Sequence, residues 1–134
     1  MKYLQNYREE KQSTLFNETG AFFAFSEEQL IKGLNGRDKS EVVNLGGGLI
    51  ANKTQVKQIY EGLDRIENEA MEEDLKENGA EGIIRREFFN HETSYDGDES
   101  RVLDALKPYR ERFPSAFRIE VLSKVFNECY KEEV

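Results

Sequence analysis

The chain has 134 residues and a mass of 15.6 kDa, with 37% hydrophobic and 34% charged side chains, nine Phe, six Tyr and no Trp. That length fits one domain, because halving it would leave each part short of a core, and the aromatic content is too high for a disordered chain. A net charge of -8 disfavours direct nucleic-acid binding, the single Cys129 excludes an intrachain disulfide or a cysteine metal cluster, and no apolar run approaches the roughly 18 residues of a membrane span. The N-terminal MKYLQNYREEKQ lacks the apolar stretch of a signal peptide, so a cytoplasmic protein is expected.

From the N-terminus, Tyr3, Leu4 and Tyr7 followed by Leu15 and Phe16 predict a helix over 3–16. Residues 17–20 read as a turn, and the continuous apolar run 21–25 as a buried segment whose backbone type stays open. Ser26 with Gln29 three residues on has the capping-box pattern: the hydroxyl accepts a backbone N–H, and Gln29 reaches back to the Ser26 amide. A short helix then runs to Leu34, closed by a polar turn over 35–38. Val42, Val43 and Leu45, then Gly46, Gly47 and Gly48, then Leu49, Ile50 and Ala51 predict a β-hairpin about a glycine joint. The joint is not a phosphate loop, since Lys53 and Thr54 do not directly follow the last glycine.

Asn52 with Gln55 repeats the capping-box pattern and opens the longest helix, on which Val56, Ile59, Tyr60, Leu63, Ile66 and Ala70 fall within an arc of roughly 120°. Past Met71 the stripe is broken by Asp74 and Glu77, so the last turns before Asn78 and Gly79 are expected to project into solvent or fray. Ile83, Ile84, Phe88 and Phe89 predict an amphipathic helix over 83–91, followed by a polar loop over 92–98. Asp98 caps a helix carrying Val102, Leu103 and Leu106 that Pro108 ends. In the tail, Phe117, Ile119 and Val121 alternate like a strand, while Leu122, Val125, Phe126 and Cys129 keep helical spacing. A helix over 115–130 leaves Glu120, Ser123, Lys124, Asn127 and Lys131 on one polar side, and its wide apolar face fits either deep burial or a homodimer seam. These elements add up to a mainly α (α+β) fold of about six helices with one short β-hairpin in a single compact domain.

Charge and chemistry are concentrated in two places. Residues 61–80 hold eight acidic and two basic side chains, and Glu61, Glu69, Glu72 and Glu73 are the candidate protein-binding residues, suited to steering a basic partner. The sole histidine, His91, has Glu87 one helical turn before it, and Asn90, His91, Glu92 and Tyr95 form the candidate catalytic set: an imidazole oriented by a carboxylate can act as general acid or base. The competing reading of His91 is a residue that bonds the last carbonyls of a helix and is favoured there by the dipole. One histidine with scattered carboxylates gives no metal-ligand spacing, and the oxygen-rich stretch 96–99 lacks the twelve-residue calcium pattern, so neither metal nor cofactor is expected. Cys129 reads as buried filler among Val125, Phe126 and Tyr130. Arg85 and Arg86, with Arg101, Lys107, Arg110, Arg112 and Arg118, are what a direct nucleic-acid binder would use, although acids are interleaved among them.

Four stretches in order along the chain, GAFFAFSEEQL from Gly20, NLGGGLI from Asn44, NHETSYDGD from Asn90 and LDALKPY from Leu103, resemble an uncharacterised family of small proteins encoded in bacterial genomes, phages and mobile elements. The chain departs from that pattern at RERFPS, before the last helix. The resemblance implies a helical accessory protein of mobile DNA and carries over no catalytic residue. The leading expectation is therefore a non-enzymatic protein-interaction module with a basic partner, followed by a small acid-base enzyme or hydrolase at His91.

Overall fold

A computed structural model of the chain describes residues 2–91, 93 and 97–132. Its elements are α1 (Leu4–Thr19), β1 (Phe22–Phe23), α2 (Glu27–Leu34), β2 (Val42–Asn44), β3 (Leu49–Asn52), α3 (Val56–Asn90), α4 (Ser100–Arg112) and α5 (Ile119–Glu132), with single 3-10 turns at Lys39–Glu41 and Lys53–Gln55. The mainly helical fold with a minor β part is as expected, and α3 accounts for two of the expected helices because it bends at Gly79 (φ 71°, ψ 163°). The chain divides into two compact units, one of residues 4–70 and one in which the N-terminal residues join 71–134.

In the first unit, the hairpin β2–β3 forms as predicted, with Val43 opposite Ala51. Gly46, Gly47 and Gly48 all have positive φ, which explains why three glycines in a row occupy the joint. The run 21–25 supplies the third strand: β1 pairs antiparallel with β3, Phe22 opposite Ile50 and Phe23 opposite Leu49, giving the order β1-β3-β2. The expectation that the whole run is buried is overturned: Ala21 is in the core, but Phe23 and Phe25 are 52% and 73% exposed. The core joins Ala21, Leu49, Ala51 and Ile59, with Phe16, Leu45 and Leu63 packed against it. Tyr60, placed in the core stripe by its helical phase, is instead 54% exposed.

The predicted caps are half right. Ser26 Oγ accepts from the Gln29 amide at 3.2 Å, but Gln29 Oε1 reaches back one residue further, to the Phe25 amide at 2.7 Å. Asn52 makes no side-chain cap. Its side chain is claimed by Arg37, which donates to Asn52 Oδ1 at 2.7 Å, to the carbonyls of Gly33 and Leu34 at 2.9 Å, and lies 5.4 Å from the Phe22 ring centroid. One guanidinium thus closes the C-terminal carbonyls of α2 and ties them to β1 and β3. On α1, Tyr7, Leu15 and Thr19 are buried, while Arg8 pairs with Glu67 at 2.8 Å and Lys11 with Glu69 at 3.1 Å.

In the second unit, the core is built from Ile83, Ile84 and Phe88 of α3, Val102, Leu106 and Tyr109 of α4, Phe117, and Leu122, Val125, Phe126 and Cys129 of α5. Phe88 sits against Phe126 and Tyr130, with ring centroids 5.5 and 5.0 Å away. Cys129 is buried, as expected, together with Leu122, Val125 and Phe126 on the apolar face of α5. The N-cap of α4 is Glu99, not the expected Asp98, and makes no side-chain cap bond; Asp98 Oδ1 instead accepts from the hydroxyl and the amide of Ser100, and both bonds stabilise the ionised carboxylate and lower its pKa. Pro108 does not end α4, which continues to Arg112, because its fixed φ is compatible with a helix. The α5 helix begins at Ile119 rather than 115, and Ile119 itself is exposed. No helix among the described residues is long and apolar enough to cross a membrane.

Candidate functional site

The densest polar constellation is inside the second unit, and it overturns the expectation that α3 frays after Met71. Met71 and Asp74 are both fully buried. Asp74 accepts a two-pronged bond from Arg86 (Nη1 to Oδ1 2.9 Å, Nη2 to Oδ2 3.0 Å), a short bond from the Tyr109 hydroxyl at 2.5 Å, and one from Asn78 Nδ2 at 2.7 Å. Arg86 also donates to Glu87 Oε1 and to the Lys2 carbonyl, each at 3.0 Å, and its guanidinium carbon is 5.7 Å from the Tyr3 ring centroid. A paired carboxylate and guanidinium in forked geometry is what makes burial of both charges tolerable.

The pKa shifts follow from this arrangement. Burial raises the Tyr109 hydroxyl well above the usual tyrosine range, and its bond to the Asp74 carboxylate adds to the rise. Burial alone would lower the Arg86 pKa, but the Asp74, Tyr109 and Glu87 oxygens outweigh it and the net shift is upward. Tyr109 is therefore a neutral donor. Because its folded-state pKa lies above its unfolded value, the proton it holds contributes stability that is complete below about pH 10 and is lost progressively above it. Tyr109→Phe is expected to cost about 1–3 kcal/mol at pH 8, the penalty for a buried acceptor losing a donor. In paired urea titrations, the gap between wild type and variant should narrow at pH 11; an equal gap at both pH values would contradict this role.

His91 belongs to the same chain of contacts. Its Nε2 is 3.3 Å from Glu87 Oε2, so the carboxylate that orients it is the one a helical turn back, and that carboxylate is fixed from its other side by Arg86. Asn90 is exposed at the end of α3, and Glu92 and Tyr95 lie outside the described residues. Among the described residues, no three His, Cys, Asp or Glu side chains come together as a metal ion would require.

The candidate protein-binding glutamates are not equivalent. Glu61 is exposed, with only a 3.9 Å pairing to Lys57. Glu69 is held between Lys11 at 3.1 Å and Arg65 at 3.9 Å, while Glu72 and Glu73 are exposed further along α3. Of the basic residues that a nucleic-acid binder would use, Arg86 is buried and Arg85 pairs with Glu128 at 3.0 Å and with Glu132. Burial of the pair at 74 and 86 is what residue-type periodicity misses. The available signal was that each charge falls on an apolar face, Asp74 in line with Ala70 and Met71, and Arg86 among Ile83, Ile84 and Phe88.

Geometry of this kind defines a small, mainly helical protein with a buried Asp74–Arg86–Tyr109 cluster and with Glu61, Glu72 and Glu73 at its surface. The chain belongs to the family of unknown function DUF7659, which matches residues 4–132. No curated protein and no solved structure matches it.

Proposed function

We propose that this chain is a non-enzymatic protein-interaction module that engages a basic partner through surface carboxylates. The observation that carries this reading is the exposure of Glu61, Glu72 and Glu73 on α3, within a stretch of eight acids and two bases, whereas the buried carboxylate Asp74 is committed to Arg86 and Tyr109. Exposed carboxylates of one sign speed and select association with a cationic surface, and do so less as salt rises. The phage or mobile-element setting implied by the sequence resemblance suits an accessory protein of this kind. His91 is assigned here to anchoring the end of α3 through Glu87, because a carboxylate already fixed by Arg86 is a structural tie.

Glu61→Gln, Glu72→Gln and Glu73→Gln together, leaving the internally paired Glu69 in place, should weaken binding of a basic partner about tenfold at low salt. Affinity capture with native and triple-variant protein at two salt concentrations reads this directly by quantitative mass spectrometry. Equal recovery of the same partners by both proteins at low salt would remove the electrostatic basis of the reading.

A further inference from the structure

The first unit has a second surface that the acidic stretch of α3 does not include. Glu9, Gln12 and Phe16 of α1, with Phe23 of β1, line an open hollow of about 580 Å³. The spacing puts Glu9, Gln12 and Phe16 on one side of the helix, and the helix sorts its charges by face: Arg8 and Lys11 turn to Glu67 and Glu69, while Glu9 and Glu10 line the hollow. Among the described residues, neither Glu9 nor Glu10 is in an ion pair. Phe16 and Phe23 meet nearly edge to face, with centroids 5.7 Å apart and planes at 84°, so the hollow has two aromatic walls and an anionic rim. Phe25 extends the aromatic surface outward, stacked on Phe23 at 6.2 Å and 10°.

We infer that this hollow docks a basic peptide segment of a partner protein, seating one Lys or Arg between Glu9 and Glu10 over the Phe16–Phe23 walls and a neighbouring apolar side chain on Phe23 and Phe25. Each part of the surface selects for that occupant. Aromatic faces attract a cation that the carboxylates neutralise. An apolar patch rimmed by charge is the usual form of a docking surface, and two large rings left at the surface of so small a unit are costly without a partner. Nucleic acid and anionic membranes are repelled by the same carboxylates that select a cation.

The inference rests on the interaction-module reading but uses different residues, so the two can fail separately. Peptides selected from a phage-displayed library of random 12-mers against the whole chain should be enriched in Lys or Arg next to a Leu, Phe or Tyr. Their affinity, read by fluorescence anisotropy, should fall about tenfold in Glu9→Gln with Glu10→Gln and in Phe25→Ser, all at exposed side chains, and should weaken with salt. Selection of no peptide, selection without cationic enrichment, or unchanged affinity in these variants overturns the inference. Loss of binding in the α3 triple variant alone overturns it while leaving the broader reading standing. Self-association in sedimentation that Phe25→Ser abolishes would place a second copy of the chain in the hollow and overturn it as well.

Discussion

Arg86→Met is expected to destabilise the protein by about 3–5 kcal/mol, the cost of leaving a buried carboxylate without its charged partner. The variant strands Asp74, which keeps only the Tyr109 hydroxyl and the Asn78 amide, and it also strips Glu87 and the Lys2 carbonyl of a donor. The converse change clarifies what the pair contributes. Replacing Asp74 by Leu, Arg86 by Met and Tyr109 by Phe together removes the stranded carboxylate and the hydroxyl that donates to it, while Asn78, Glu87 and the Lys2 carbonyl each lose one partner, and should recover part of the loss, since a buried ion pair is seldom more stabilising than well-packed apolar groups. Urea denaturation of the single and triple variants tests both halves. A midpoint for Arg86→Met within about 0.3 M of wild type would mean that the pair is hydrated and dispensable, given slopes of about 1–3 kcal/mol per M.

Gly79→Ala should cost about 1–3 kcal/mol, and its cost should depend on the ion pair. Gly79 has φ 71° and ψ 163°, a region that L-residues scarcely enter, and nothing lies within 4 Å of where a β-carbon would sit, so no steric clash adds to the cost of changing the backbone there. The bend has a clear purpose. Asp74 and Arg86 are twelve positions apart and would be about 18 Å from each other along an unbroken helix, yet their side chains meet at 2.9 Å. Alanine favours a continuous helix, which would pull the pair apart. In a double-mutant cycle, Gly79→Ala should therefore cost much less in the Arg86→Met background than in wild type. Strict additivity would show that the bend and the pair are independent.

The sequence makes the elements more legible than their joints. Residue periodicity locates the helices, the hairpin and its glycine joint, because burying one face of a helix or strand imposes a repeat that survives in the residue order. It fails where a side chain's partner is distant in the chain. Asp74 looks like an interruption of an apolar stripe until Arg86 is folded against it, and Asn52 looks like a cap until Arg37 reaches it from fifteen positions away. Tyr60 and Phe25 mislead in the other direction, since an aromatic residue in phase with a core can still be left at the surface. The acidic stretch was plain as composition, but nothing in residue order says that Glu69 is bound by Lys11 while Glu9 and Glu10 face an open hollow.

Cys129 gives this chain a built-in clock. It is the sole thiol of the sequence and is fully buried in the second unit. A thiol reagent added to native protein can react only when that unit opens, so the labelling rate reports the frequency or free energy of its opening, according to whether reaction outpaces reclosure. With no tryptophan to follow by fluorescence, this one sulfur lets the excursions of residues 71–134 be timed without altering a single side chain.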